Sequence, residues 1–238
     1  MLKDNERIDD LECRGYKIIQ NPDGYCFTSD SVLLANLAYA KRSDRVVDLC
    51  SGSGVVALLM RAKYSPKETH EIELQPRLAD MAKRSAELNG LTDVFVHNAD
   101  LRQATKVIGG GFDVVTVNPP YEPAVKKDFY TEQDICKTEA AISLEEIIAC
   151  SSSLLRYGGN FFMVNRVKRL SDVVYFMKKY KIEPKKITFI QPKASKAIDA
   201  FVVEGKLGGN PGLTAPAPLV VYEENGDYTE QARRLYGK

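Results

Sequence analysis

Arg45-Val46-Val47-Asp48-Leu49-Cys50-Ser51-Gly52-Ser53-Gly54-Val55-Val56-Ala57 is the stretch on which the fold turns. Val46 to Cys50 is short and apolar, as a buried strand is, and Val55 to Lys63 reads as a helix. The glycines between them let the backbone pass close to a ligand with no Cβ in the way. Strand, glycine loop and helix in that order open a βαβ unit.

Downstream the alternation repeats. Glu71 to Leu74 reads as a strand, and Leu78, Met81, Ala82, Ser85 and Leu88 follow Pro76 at helical spacing until Asn89-Gly90 closes the helix. Val94 to Val96, Phe112 to Val117 and Asn160 to Asn165 are further strands, the last preceded by a helix from Leu144 to Leu155 and by Gly158-Gly159. Ile187 to Gln191 and Ala200 to Val203 lie close together, which predicts an antiparallel pair at the sheet edge.

Upstream, Tyr16 to Gln20 and Tyr25 to Thr28 flank Asn21-Pro22-Asp23-Gly24, predicting a hairpin. Ser29 or Asp30 then caps a helix through Leu37. The expectation is an α/β fold, a doubly wound, mostly parallel seven-stranded sheet with an N-terminal hairpin and an antiparallel edge strand. One domain is expected over 1–238: hairpin and helix in 1–40, catalytic core in 41–206, tail in 207–238.

Composition narrows the class. An apolar fraction of 44% and a charged fraction of 27% exclude a disordered chain, a collagen-like fibre and a disulfide scaffold. The longest uncharged apolar run, Val55 to Met60, is far too short to span a bilayer, and the N-terminus lacks a signal-peptide core. Cys13, Cys26, Cys50, Cys136 and Cys150 never fall in a C-x-x-C pattern, which predicts free thiols, a reducing cytoplasmic setting and no metal site. His70 and His97 sit in no triad or zinc pattern. Residues 151–206 hold 12 Lys/Arg against 4 Asp/Glu, while residues 1–150 hold 18 against 24. The basic stretch reads either as a footprint for a polyanion or as a solvated lysine face.

The glycine loop alone is ambiguous, since Gly52-Ser53-Gly54-Val55-Val56-Ala57 also satisfies the relaxed dinucleotide fingerprint G-x-G-x-x-A. Glu73, 21 residues after Gly52, would accept ribose hydroxyls with either cofactor. Asp48 tips the balance. An acid approaching the loop opposes a pyrophosphate but suits the cationic amino or sulfonium group of S-adenosylmethionine. Asp100 after the third strand could accept an adenine amino group. Each acid alone could equally be a helix cap or an exposed carboxylate; three at successive strand ends favour S-adenosylmethionine over NAD.

Asn118-Pro119-Pro120-Tyr121 ends the strand Phe112 to Val117 and suggests the chemistry. An exocyclic amine of a base has its lone pair delocalised into the ring. Hydrogen bonds from that amine to the Asn118 side-chain oxygen and the Pro119 carbonyl push the nitrogen toward a tetrahedral form. The prolines aim that carbonyl, and Tyr121 offers a face for the base to stack on.

At these residues the chain resembles the Rossmann-like S-adenosylmethionine methyltransferases with an N-P-P-Y motif, and more narrowly the bacterial tRNA(Val) position-37 adenine N(6)-methyltransferase family. The likeness extends to Gly15 to Gln20, Phe27 to Ala35, Ile72 to Gln75 and the tail from Pro211 to Thr229. It implies that Asp48, Gly52, Gly54 and Glu73 hold the methionyl and ribose parts of the cofactor, and Asp100 its adenine. Thr28 and Asp30 would cover the cofactor pocket, Asn118 would meet both cofactor and substrate, and Asn118 to Tyr121 would hold the target adenine of a tRNA. Neither a membrane nor an obligate protein partner is implied. In one departure, Cys136-Lys137-Thr138-Glu139 has threonine where relatives often carry histidine. The alternatives are the same chemistry on rRNA, DNA or a protein glutamine, an NAD-dependent oxidoreductase, or a catalytically silent RNA-binding module.

Overall fold

Side chains at alternate positions of a strand face opposite sides of a sheet, and here both sides are apolar. Val46, Val114, Phe162 and Val202 are buried on one face, and Val47, Val115, Phe161 and Val203 on the other. Such strands need helices on both faces. The computed structural model, which describes residues 2–24, 26–122 and 130–237, has that arrangement.

The chain begins with β1 (Arg7–Asp10) and β2 (Lys17–Gln20), an antiparallel pair separate from the main sheet. Then come α1 (Ser29–Leu37), β3 (Arg45–Leu49), α2 (Val55–Tyr64), β4 (Glu68–Glu73), α3 (Pro76–Leu88) and β5 (Val94–Asn98). They are followed by α4 (Ala104–Ile108), β6 (Phe112–Val117), α5 (Glu132–Lys137), α6 (Leu144–Leu154) and β7 (Leu155–Arg166). The chain finishes with α7 (Leu170–Lys179), β8 (Ile182–Lys193), β9 (Ala200–Leu207), β10 (Leu219–Tyr222) and α8 (Glu230–Tyr236). The main sheet runs β10-β8-β9-β7-β6-β3-β4-β5, and only β9 is antiparallel to its neighbours. Helices α1 and α2 cover one face and α4, α6 and α7 the other. The mostly parallel, doubly wound α/β architecture is therefore as expected.

Four details differ. The hairpin pairs Lys17–Gln20 with Arg7–Asp10, not with Tyr25 to Thr28. Tyr25 lies outside the described residues, and the Phe27 N–H donates to the Gln20 side chain at 3.0 Å in place of a strand partner. The expected seven strands are joined by an eighth, β10, which pairs parallel to β8 and takes the edge beyond it, while the reversed strand β9 lies inside the sheet between β8 and β7. Strand β7 starts at Leu155 and runs through Gly158-Gly159, with a register shift opposite Phe112 and Val114. Neither Ser29 nor Asp30 caps α1; Thr28 holds the N-cap position without a side-chain cap bond, and Asp30 lies in the first turn.

Because β3, β6, β7, β8 and β10 share one direction, their carboxyl ends bring the glycine loop, Asn118, Arg166, Lys193 and Tyr222 to one edge of the sheet. The basic segment does not follow them as a unit. Lys178 and Lys179 end α7 at the opposite edge, paired with Glu183 and Glu145.

Candidate active site

Three consecutive loop features place the backbone against the acids. Cys50, Gly52 and Gly54 all have positive φ (54°, 58° and 88°), so the chain leaves β3 through a tight left-handed turn before α2. The Gly52 N–H donates to Glu73 Oε2 at 2.8 Å, and the Gln75 N–H donates to Oε1 at 2.8 Å. Glu73, buried at the end of β4, thus ties the glycine loop to the β4–α3 turn. Gly54 serves packing: a Cβ there would stand 2.7 Å from Glu71 Oε2.

Asp48 is buried and accepts a hydrogen bond from Thr116 Oγ1 at 2.6 Å. Burial pushes its pKa up to about 7; the Thr116 bond opposes the rise and nearby Glu73 adds to it. Glu71, which the sequence reading did not single out, lies fully buried beside them, pushed up to about 8 by burial and by Asp48. Its signal was the alternation Glu71-Ile72-Glu73, which puts two carboxyls on one face of β4. Asp100 caps the turn at Leu101, accepting the Arg102 N–H at 2.9 Å, and the Arg102 side chain holds its pKa below the usual range.

These groups border three neighbouring compartments that share lining residues. The inner slot is lined by Cys50, Gly52, Glu73 and Asp100 among apolar side chains such as Leu101 and Ile142. A second compartment lies beside the glycine loop and is lined by Phe27, Ser31, Asp48 and Ser53. The outer cleft is lined by Thr28, Pro119, Tyr121, Arg166, Lys168 and Asp199. Asn118 lines all three. Its Nδ2 donates to Ser31 Oγ at 2.7 Å, and its Oδ1 is buried with no hydrogen-bond partner among the described residues.

Tyr121 is fixed from behind. Its hydroxyl lies 3.2 Å from Asp30 Oδ2 and accepts from Arg166 Nη2 at 2.9 Å, while the guanidinium carbon sits 4.7 Å from the ring centroid. Burial and the Asp30 charge raise the phenol pKa. Asp30 therefore supports the outer cleft and lines none of the three compartments, whereas its neighbours Phe27 and Ser31 face the glycine loop. Thr28 likewise faces the outer cleft. Of the three basic residues at and just beyond the end of β7, Arg166 and Lys168 line the cleft, and Arg169 is paired with Glu139 and Asp172. Thr138 turns its hydroxyl to the Asp134 carbonyl at 2.8 Å, and its neighbour Cys136 lines both the inner slot and the outer cleft.

Residues 28–180 match the family model described as the methyltransferase small domain. A Porphyromonas gingivalis protein named tRNA1(Val) (adenine(37)-N6)-methyltransferase is 21% identical over 195 residues, covering 79% of this chain and 76% of that protein. A Yersinia pestis protein of the same name is 26% identical over 140 residues, covering 57% of this chain and 56% of its own length, so that match spans little more than half of the relative. Among solved structures, a predicted O-methyltransferase of Agrobacterium tumefaciens superposes with a TM-score of 0.71 at 23% identity, over 87% of this chain and 95% of that one. The M. jannaschii protein TYW2, solved in complex with AdoMet, gives 0.56 at 13% identity, over 87% of both chains. At these identities the structural likeness speaks for the fold alone.

Proposed function

Because this chain belongs to the methyltransferase small domain family, we propose that it methylates the exocyclic amino group of an adenine in RNA with S-adenosylmethionine as donor, the acceptor being position 37 of a tRNA(Val). The methyltransferase class and fold follow from the family and its structural neighbours; the acceptor is the proposal.

The donor set suits the cofactor. Glu73 and Asp100 border a largely apolar slot suited to an adenosine, and Asp48 beside the glycine loop is a buried carboxyl that a cationic ligand would return to its charged form. Bound there, S-adenosylmethionine supplies an electrophilic methyl group on a sulfonium.

The rest falls to the protein. Asn118 Oδ1 accepts one N–H of the target amine while Nδ2 stays on Ser31, and the Pro119 carbonyl accepts the other. Rehybridised in this way, the nitrogen directs its lone pair toward the inner compartments. Tyr121 stacks the base, and the flipped nucleotide enters through the outer cleft. The methylated nitrogen is a strong acid and loses its proton to water, so no strong base is required. Positioning carries most of the rate.

The observation that carries this reading is the orphaned Oδ1 of Asn118 at the meeting point of all three compartments. A buried acceptor without a partner is costly unless a ligand supplies the donor. Labelled S-adenosylmethionine offered with RNA, DNA and protein fractions tests the acceptor class. Nucleoside mass spectrometry of tRNA from a deletion strain tests the base. Label in RNA and loss of N(6)-methyladenosine at position 37 are expected; label confined to protein overturns the RNA assignment.

A further inference from the structure

Arg166 stands at the end of β7, in the mouth of the outer cleft, and divides its guanidinium between two acids in unequal surroundings. Nη2 donates to Asp30 Oδ2 at 2.8 Å, and the Asp30 side chain is 9% exposed. Nη1 donates to Asp199 Oδ2 at 2.7 Å, and the Asp199 side chain is 65% exposed. The inner arm is bound inside the protein together with the Tyr121 hydroxyl. The outer arm is closed only by a carboxylate in water, a pairing weak enough to be exchanged. Asp199 is anchored through its backbone: its carbonyl accepts the Val167 N–H at 3.0 Å and its N–H donates to the Ile190 carbonyl at 3.3 Å. Its side chain can therefore leave Arg166 without the turn moving.

We propose that the outer arm of Arg166 is a phosphodiester site, closed by Asp199 in the free protein and taken over by a backbone phosphate next to the acceptor base when nucleic acid binds. The proposal rests on the nucleic-acid reading of the cleft and deepens it. With Nη2 kept by Asp30 and Tyr121, Nη1 has its N–H donors to give to a non-bridging oxygen of a phosphodiester, and Lys168 lines the same cleft to add a second positive charge. The same arginine touches Tyr121, so base and phosphate of one nucleotide are held by directly connected residues. A protein glutamine or a free nucleobase brings no anion to this point and leaves Asp199 in place. The Arg166–Asp199 pair thus favours a polynucleotide acceptor over an uncharged one.

The test is a double-mutant cycle on RNA affinity. Fluorescence anisotropy with a labelled, adenine-containing RNA stem-loop is read for the wild type, Asp199→Asn, Arg166→Lys and the double variant, without cofactor. Asp199→Asn is expected to tighten binding about 3- to 10-fold, and Arg166→Lys, which keeps the charge but has one nitrogen in place of separate inner and outer donors, to weaken it about 10-fold. In the Arg166→Lys background the gain from Asp199→Asn should shrink below about twofold. An equal gain in both backgrounds, or no gain in the wild type, overturns the proposal, because the carboxylate would then act only through the overall field or not at all. Thermal melts and S-adenosylmethionine calorimetry on each variant check that fold and cofactor site are intact. The cycle is independent of the reaction: coupling without adenine methylation overturns the proposed chemistry and leaves the phosphate site, whereas methylation without coupling overturns the phosphate site alone.

Discussion

Ser31 Oγ accepts a hydrogen bond from Asn118 Nδ2 at 2.7 Å, joining the first turn of α1 to the end of β6. That bond engages Nδ2 and leaves Oδ1 as the buried atom without a partner among the described residues. With Nδ2 engaged, the oxygen is the atom left for a ligand, and a ligand that fits it must be a donor.

Asn118→Ala removes the acceptor and should lower turnover about 10²- to 10³-fold, by analogy with deleting one polar group that recognises a transition state. Ser31→Ala leaves the acceptor but frees the amide to rotate, so a smaller loss of about 10-fold is expected. Both should leave S-adenosylmethionine affinity within about threefold, as one weakened hydrogen bond allows. Single-turnover methylation and calorimetry separate the two effects; unchanged turnover in Asn118→Ala would remove the amide from the mechanism.

Asp30→Ala discriminates between two placements of that carboxylate. If it braces Arg166 and Tyr121, as their contacts indicate, its loss leaves a half-buried guanidinium with the exposed Asp199 as its one acidic partner among the described residues. Stability should fall by about 2 kcal/mol, and KM for RNA should rise about 10-fold, with S-adenosylmethionine affinity nearly kept. A comparable loss of cofactor affinity would return Asp30 to the cofactor pocket.

Much of this was legible because the chemistry is local in sequence. The glycine loop, Glu73 and Asn118 to Tyr121 each sit at the end of a strand, and apolar runs identify those strands. The Arg166–Asp30 pair joins residues 136 positions apart, and no spacing rule reaches that far. The hairpin was misplaced because Asn21-Pro22-Asp23-Gly24 does form a turn, with the Gly24 N–H on the Asn21 carbonyl at 3.1 Å, yet the turn leads into a loop. The true partner strand, Arg7-Ile8-Asp9-Asp10, carries three charges and no apolar alternation, and the chain reverses through Glu12, Arg14 and Gly15 at positive φ. Strand β10 was missed because Leu219 to Tyr222 is only four residues long.

Asp48 predicts a proton released on cofactor binding. Its pKa is raised from 3.8 to about 7, so between those values the folded protein holds more protons than the unfolded chain. Stability therefore falls as pH rises through that window. A cationic ligand beside the carboxylate favours its charged form, so binding near pH 6 should expel close to one proton, and affinity should tighten between about pH 5 and 7. Calorimetry in two buffers of different ionisation heat reads the proton directly, and Asp48→Asn should abolish it. Zero release at pH 6 would mean that Asp48 does not face the cation.

Gly54 and Glu71 predict a rescue. Alanine at Gly54 carries two separate costs. The backbone at φ 88° is left-handed, which costs an L-residue about 1 kcal/mol. The new Cβ would also stand 2.7 Å from Glu71 Oε2, a fully buried carboxyl. Together these should destabilise by about 3 kcal/mol, in the range of overpacked core sites. In a Glu71→Ala background the second cost disappears, while the tight 3.2 Å approach to Ala82 Cβ and the backbone cost remain. The penalty for Gly54→Ala should then fall to about 1–2 kcal/mol, read from urea midpoints at constant m-value. An undiminished penalty would show that the glycine is required by the loop's backbone and not by the buried carboxyl beneath it.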